Sequence, residues 1–568
     1  MNGKVLAVFF ALFTLIISPT FSAIYTVINT NDAGPGSLRE AIDQANTNIG
    51  ADTIHFNIGL LGVKTITLTT GELGIRDTLF IDGSSDPAYM GMPLIEINAN
   101  GTNRGLGIYA TAPYSKIHAL VINNASYAGL QSFATHISIT GCHIGVDAAG
   151  TTAVPNSFMG LGVYNARHAR VGGTGLNEGN VIAGNNNIGL GIYNSDSSTV
   201  IGNKIGNDIS GGIALANGQG IGVFNSSQIT IGGNTPDHRN VISGNGIGIQ
   251  FYISDNCQVK GNYIGTDVSG MIALPNTSSA IYARGDSNII GGILTGEGNL
   301  ISGNNGVAIN FFSGALQGDS TFGNKVFGNL IGTDLSGNMA LPNRSGIVVG
   351  NGVRRTEIGG TTVAHRNVIS GNTSHGIQIS WGDSSVILGN FIGTDINGTT
   401  AIGNQGNGIS MGNASRVYIG NASMTGANVI SGNNQQGIDI TSTSDINYIQ
   451  HNFIGTDPSG MAYLPNAQNG LFVRSTATQV QIGGLNANEG NFIANNLGSG
   501  IVVNGPAALN NQILGNSIYA HANPGIILSG GNNNQAAPDI TGFSGTINTT
   551  INGTLTSAPN TTYRLEFF

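Results

Sequence analysis

Charge is what this sequence has least of. Only 9% of its 568 residues are Asp, Glu, Lys or Arg, and 29 acidic against 20 basic groups leave a formal net charge of −9. There is no basic tract, which argues against nucleic acid as a partner, because neutralising phosphates takes clustered Lys and Arg. Cysteine is nearly absent: Cys142 and Cys257 are the only two. On a solenoid of ~4.8 Å per turn they fall about four turns apart, roughly 19 Å, beyond disulfide reach. No disulfide framework and no zinc-type Cys/His spacing is present. Tryptophan occurs once, and no run beyond residue 22 is long and apolar enough to cross a bilayer as a helix.

Glycine, by contrast, contributes 89 residues, more than twice its usual share, without a collagen-like period. Such an excess fits many tight turns that need positive φ or close backbone approach. The turns recur. The phrase Gly389-Asn390-Phe391-Ile392-Gly393-Thr394-Asp395 has close copies ending at Asp208, Asp267, Asp334 and Asp457, and a looser one ending at Asp147. Successive gaps from Asp208 to Asp457 are 59, 67, 61 and 62 residues. Between copies runs Asn-Val-Ile-Ser-Gly-Asn, at residues 240–245, 367–372 and 428–433, with variants beginning at Asn180, Asn299 and Asn491. A period sustained over hundreds of residues means units that stack only on their neighbours.

Each unit of about 61 residues divides into halves of three short alternating strands, broken by Gly and Asn. One such half makes one turn of a parallel β-helix, with β-branched residues at alternate positions stacking inward. Asn372, Asn390, Asn433 and Asn452 recur where strands bend, where stacked amides can satisfy one another and the left-handed φ is tolerated. Leucine-rich repeats and propeller blades would need a Leu ladder or Trp and kelch signatures that are missing. The expected fold class is therefore all-β, a right-handed parallel β-helix spanning residues 101–535.

The ends differ from this middle. Residues 1–22 read as a secretory signal: Lys4, an apolar run over residues 5–17, and Thr20-Phe21-Ser22 before Ala23. The expected location is therefore secreted or on the bacterial cell surface. Residues 23–100 read as an N-terminal cap. Ser37-Leu38-Arg39-Glu40 is a capping box. Leu38, Ala41, Ile42 and Ala45 then form one apolar helical face, followed by strands at residues 65–69 and 78–82. A solenoid needs such a cap over its open end. Residues 536–568 break the pattern and read as the opening strands, 551–555 and 563–568, of a C-terminal β module. Two strands closing the helix end are an equal alternative.

The segment Gly36-Ser37-Leu38-Arg39-Glu40-Ala41, with Asp52-Thr53-Ile54-His55-Phe56 behind it, resembles the N-terminal domain named for its CSLREA motif. That domain opens secreted bacterial β-helix proteins. The family's leading Cys is Gly36 here, so no role of that thiol carries over. The resemblance implies a pectate-lyase-like solenoid and fixes no activity.

Three columns of repeated residues carry candidate chemistry. Asp334, Asp395 and Asp457 open Asp-x-x-Gly loops, which could supply oxygens to calcium or act as ordinary type I turns. Turn chemistry is the preferred expectation, with no obligatory cofactor or metal. Glu178, His238, Glu297, His365, Gly426 and Glu489 precede the Asn-Val-Ile phrases by two residues. They are two turns apart, about 9–10 Å, too far for a hydrogen bond or a shared metal and at the edge of the ~6.5–9.5 Å between an inverting glycosidase's carboxylates; polar turn tips are the preferred reading. The third column is Tyr263, Leu330, Phe391 and Phe453, which alternation points outward. These could stack sugar rings along a polysaccharide or seat a partner protein, or else the loops of the residue 334–343 type fold over them.

Two function classes stay open. One is a binding or structural rod, adhesin-like, directed to a glycan or cell-surface protein. It is preferred because an active site breaks a repeat locally, and no break is evident between residues 188 and 470. The other is a polysaccharide-active enzyme, a lyase, glycoside hydrolase or epimerase, as resemblance to β-helix proteins implies. Its place would be the irregular early turns with His118, His136, His143, Asp147, Arg167, His168 and Arg170.

Overall fold

The computed structural model describes residues 22–59, 61–314, 321–422, 426–536, 539–544 and 550–556. The expected signal segment, apart from Ser22, and the expected strand at residues 563–568 lie outside the described residues.

Alternating aliphatic residues fold into three long parallel sheets, A with 17 strands, B and C with 16 each. One turn passes through C, A and B in order, as in Ile377–Ser380, Val386–Leu388 and Phe391–Ile392. The next turn repeats the path as Ile409–Gly412, Tyr418–Ile419 and Val429–Ile430. Register is strict: Ile377 pairs with Ile409, Val386 with Tyr418 and Phe391 with Val429. Inward positions such as Ile379, Ile387 and Ile392 are fully buried and join one continuous core. Each contributes roughly 1.5–3 kcal/mol by burial, so the stacked aliphatic columns are the main source of cohesion. The architecture is a parallel β-helix, right-handed as crossovers between parallel strands are.

The corners solve a separate problem, since a strand that bends leaves backbone groups unpaired inside the wall. Two ladders of asparagine take them up. At the A-to-B corner the chain of amide bonds runs without interruption from Asn180 through Asn203, Asn240, Asn262 and onward to Asn516. At the B-to-C corner a second runs from Asn156 to Asn496. Asn390 shows the pattern. Its Nδ2 donates to Asn428 Oδ1 at 3.1 Å and to the Ile358 carbonyl at 2.9 Å, while its Oδ1 accepts from Asn367 Nδ2 at 2.9 Å. Cys142 heads the first ladder, donating its N–H to Asn180 Oδ1 at 2.8 Å. Cys142 and Cys257 are both free and buried, and burial pushes each thiol up to about 12.

At the N-terminus helix α1 (Leu38–Thr47) begins as the capping box dictates. Ser37 Oγ accepts the Glu40 N–H at 3.2 Å, and Gly36 N–H donates to Glu40 Oε2 at 2.6 Å. Leu38, Ala41, Ile42 and Ala45 are its buried face. The neighbouring strands already belong to the solenoid: Asp52–Phe56 and Leu79–Asp82 to sheet A, Lys64–Thr67 to B, Leu73–Ile75 to C. The first turns thus lie inside residues 23–100, and α1 with the strand Ile24–Val27 covers their end. In these first turns Lys64 Nζ and Asp86 Oδ1 form a fully buried ion pair at 3.0 Å. At the other end Asp539–Ser544 pairs antiparallel with Thr550–Thr554.

Candidate functional site

Strands of sheet B are only two residues long over most of its length, one pointing in and one out. The outward residues fall in a single line: Tyr263, Leu300, Leu330, Val368, Phe391, Val429, Phe453 and Phe492, each in register with the next. Two families of loops rise beside the line. One follows sheet B and opens with the repeated Asp; the other precedes it and ends at Arg239 or Arg366.

The four-residue stripe expected from the sequence is present as a line, two turns between members, but its ring faces are not open. Tyr263 is 5% exposed and Phe391 3%, while Leu330 and Phe453 are half-buried. The Arg239 guanidinium lies 4.1 Å from the Tyr263 ring centroid and the Arg366 guanidinium 4.0 Å from that of Phe391. Gly398, in the loop that follows, comes so close to Phe391 that a Cβ there would stand 2.9 Å from the ring. The loops fold over the rings.

What remains is two cavities that share Val363 and Arg366. One, about 590 Å³, is lined by Arg366, Phe391, His451, Phe453, Ser459 and Phe492. The other, about 510 Å³, holds Arg239, Tyr263, Leu330, Leu335 and Ile396. Phe453 and Phe492 stack at 5.1 Å with an angle of 13° between planes. Arg366 Nε donates to the Gly389 carbonyl at 3.1 Å, and burial holds the guanidinium below its usual range. Neither Arg366 nor Arg239 forms an ion pair with a carboxylate among the described residues. The shared wall is therefore a half-buried, uncompensated cation laid on an aromatic ring.

His451 is the residue sequence reasoning missed, and it breaks the repeat that was read as unbroken. In the other copies of the repeated phrase this corner position is glycine, Gly141, Gly202, Gly261, Gly328, Gly389 and Gly515, with φ between 62° and 71°, and in the turn before them it is Ala119 at φ 55°. His451 takes φ 52° and keeps the corner's backbone bond, its N–H donating to the Glu489 carbonyl at 3.2 Å. A Cβ at such a corner crowds carbonyls; at Gly328 it would stand 2.6 Å from the Gly292 oxygen. A side chain held there stores strain, and strain of this kind gathers at functional sites. The imidazole is 8% exposed, sits edge-on to Phe453 at 6.2 Å, and its Nδ1 has no hydrogen-bond partner among the described residues. Burial lowers its pKa. The signal was there: Gln450-His451-Asn452 stands where the other copies have Gly-Asn or Gly-Cys.

The other columns are structural. Asp208 Oδ1 accepts the N–H groups of Gly212 and Ile213 at 3.1 and 3.0 Å and the Ser210 hydroxyl at 2.7 Å. Asp267 and Asp457 do the same in their loops. These oxygens are committed to the turn and do not form a cluster of three acidic or metal-binding groups among the described residues. Glu178, Glu297 and Glu489 each accept a loop N–H three residues back, and His238 and His365 each bond a Thr hydroxyl at the same offset. Of the early-turn residues, His143 lies on sheet B and Asp147 in the loop behind it, whereas His118, His136, His168 and Arg170 come together on sheet A.

Sheet C carries an aromatic ladder that the sequence reading passed over. Tyr164, Tyr193 and Phe224 stack in adjacent turns at 4.5 and 4.8 Å, with planes 5° and 9° apart. Each ring lies over the glycine two residues earlier, where a Cβ would stand 2.5–2.7 Å from the ring of Tyr164, Tyr193 or Phe224. Gly-x-Tyr/Phe at strand ends was the available signal. The ring faces are used up by stacking, and burial raises the Tyr193 hydroxyl to about 12, so the ladder is packing.

No protein-family model matches the chain, and no curated protein matches it. Solved structures with a similar course include the A-module of the mannuronan C-5 epimerase AlgE6 of Azotobacter vinelandii, at 11% identity, 89% of this chain, 99% of that one and TM-score 0.32. A PL6 alginate lyase in complex with a trisaccharide aligns at 9% identity, 76% and 86% coverage and TM-score 0.35. The Dettilon tailspike protein aligns at 14%, 84% and 66%, with TM-score 0.31. At such identities and TM-scores nothing about activity follows.

Proposed function

We propose that this protein is an exported rigid rod that binds polysaccharide along the outer face of sheet B. The observation that carries the reading is the pair of adjoining cavities, walled by aromatic rings and sharing the Arg366 guanidinium. A glycan offers apolar ring faces and a dense set of hydroxyls, and such a cleft meets both, since the part-exposed rings of Phe453 and Phe492 take the former and unpaired guanidinium donors the latter. The strained His451, placed where the other copies of the repeated phrase carry Gly, supports a role for this wall. An adhesin-like role at a cell surface is the finer form of the same proposal, and the export expected from residues 1–22 belongs with it.

The test is co-sedimentation and calorimetry of the full chain with neutral and acidic polysaccharides, with product analysis by mass spectrometry on the same samples. Binding that falls at least tenfold, about 1.4 kcal/mol, in Arg366→Gln supports the reading. Binding unaffected by that change and by Phe453→Ala would sink it. Shortened, unsaturated or epimerised products would replace it with the enzymatic alternative.

A further inference from the structure

A second concavity lies on a different sheet, near the N-terminal end, and is built from residues that the sheet B face does not use. Its floor is the outer face of sheet A. Phe80, Lys116, Ser138 and Arg170 follow one another in register there, and Asp82, His118 and Thr140 form the parallel column. One wall is the C-to-A corner, where Tyr114 stacks on His136 at 4.6 Å and His168 lies 4.8 Å from His136, tilted by 35°. The other wall is the loop of residues 172–179, whose Glu178 accepts the Gly175 N–H at 3.0 Å and pairs with Arg170 at 3.1 Å. The space enclosed is about 570 Å³.

The corner wall departs from its own repeat. Every turn needs a left-handed residue at this position, because its N–H reaches the corner carbonyl of the next turn, as His136 does to Arg167 at 2.8 Å. Further along, the place is taken by Ser197, Gln228, Asn256 and Ser287, and later by Arg355, Arg416 and Ile446, at φ 52–57°, so side-chain bulk is ordinary here and the rings are what differ. Tyr114, His136 and His168 hold φ 63°, 58° and 55° while carrying rings. Three of the chain's ten histidines thus face one groove in a protein of net charge −9. Lys116 has no ion-pair partner among the described residues. His118 Nδ1 shares a hydrogen bond with Thr140 Oγ1 at 2.9 Å. The acidic groups nearby are engaged: Glu178 by Arg170, Asp82 by Ser84, and Asp196, next to His168 along the corner, by Arg167 at 3.9 Å.

We infer that this groove binds an oxyanion, the carboxylate or sulfate of an acidic glycan, and takes up a proton as it does so. Lys116 supplies a permanent charge. An anion lying against His136 and His168 interacts more strongly with their protonated than with their neutral rings, so anion binding and imidazole protonation favour each other. The inference does not depend on the sheet B site.

The experiment uses the full chain carrying Arg366→Gln, which removes the sheet B contribution. Binding of polygalacturonate, dextran sulfate and neutral dextran is measured by calorimetry near pH 7.5 and near pH 5.5, the range over which histidine titrates. The expected result is affinity for one or both acidic polymers that rises about tenfold on acidification, with none for dextran. Retention of polygalacturonate alone assigns a carboxylate seat, of dextran sulfate alone a sulfate seat, and of both a general oxyanion seat. His136→Gln with His168→Gln keeps the neutral-pH affinity and loses the rise. Gln is already accommodated at this corner, at Gln228, so the double variant folds. Lys116→Gln weakens binding at both pH values. Absence of binding to either acidic polymer, equal affinity at both pH values, or a rise that persists in the double histidine variant overturns the inference.

Discussion

Arg366 holds its guanidinium 4.0 Å from the centroid of the Phe391 ring, across one turn of the solenoid, and the two residues come from different halves of the repeat. The contact occupies one face of the ring and leaves the cation without a carboxylate. A planar fork fits this arrangement and an ammonium does not. Arg366→Lys is therefore expected to weaken glycan binding nearly as much as Arg366→Gln, by about tenfold. Calorimetry on the two variants and the wild type checks this, and full binding by the Lys form would show that charge alone suffices.

His451→Gly restores the residue found in the other copies of the repeated phrase. It should raise the thermal midpoint, with a gain of about 1 kcal/mol from relieved left-handed strain, while glycan binding falls. A stabilised protein with unchanged affinity would remove His451 from the site. Differential scanning calorimetry and a binding isotherm on one preparation give both numbers.

Asn428 donates Nδ2 to Asn452 Oδ1 at 2.9 Å and to the Ile387 carbonyl at 2.8 Å. Asn428→Asp turns both contacts into oxygen against oxygen and buries a charge. Asn428→Ala leaves unsatisfied partners at about 1–3 kcal/mol each, so the Asp variant should be the less stable of the two. Because turns contact only their neighbours, the damage should appear first as faster amide exchange in the turns around residues 390 and 452.

Acid should loosen the loops that follow sheet B. Burial works against charging Asp208 and Asp457, but the hydroxyls of Ser210 and Ser459 and the loop N–H groups outweigh it, and both carboxyls lie below their usual range. A carboxyl depressed in the fold gives its stability above its unfolded pKa and loses it as pH falls through the folded value. Loop protection should thus be full above about pH 5 and decline below the ordinary Asp value near 3.9. Asp208→Asn keeps the acceptor oxygen, so its loop should lose that acid sensitivity. Exchange measured from pH 5 downward would show it.

The Lys64–Asp86 pair in the first turns is fully buried. Asp86→Ala strands an ammonium in the core and should cost about 3–5 kcal/mol, whereas replacing both partners with apolar residues should recover most of that. Denaturant titration of the two variants separates the stranded charge from the loss of the pair itself.

The architecture was legible because its causes are local. Spacing of Gly389, Asn390 and Ile392 and their copies set the turn length, and the hydroxyl and carboxylate of Ser37 and Glu40 set the start of α1. The role of the corner asparagines followed from their amide chemistry. Exposure was less legible. Alternation states that Phe391 points out of the sheet, but Arg366, which covers it, stands 25 residues earlier and belongs to the neighbouring turn. The boundary near residue 100 had a similar weakness: Asp52–Phe56 and Leu79–Asp82 lack the repeat's Gly and Asn punctuation yet pair into sheet A all the same. His451 needed comparison of the copies position by position, since a single histidine for glycine leaves the period untouched.

The asparagine ladders also bear on how long this molecule can be. Each rung reaches only its own turn and the turns directly above and below, and the two-turn unit restores the same corner, loop and sheet positions after about 61 residues. Removing or duplicating one whole unit therefore keeps both amide columns and the alternation of loops, whereas losing a single turn keeps the columns but breaks the alternation, and a cut within a turn breaks both. Reach is thus set by copy number, in steps of two strand spacings, roughly 10 Å each, and a lineage could lengthen or shorten the rod without rebuilding either end.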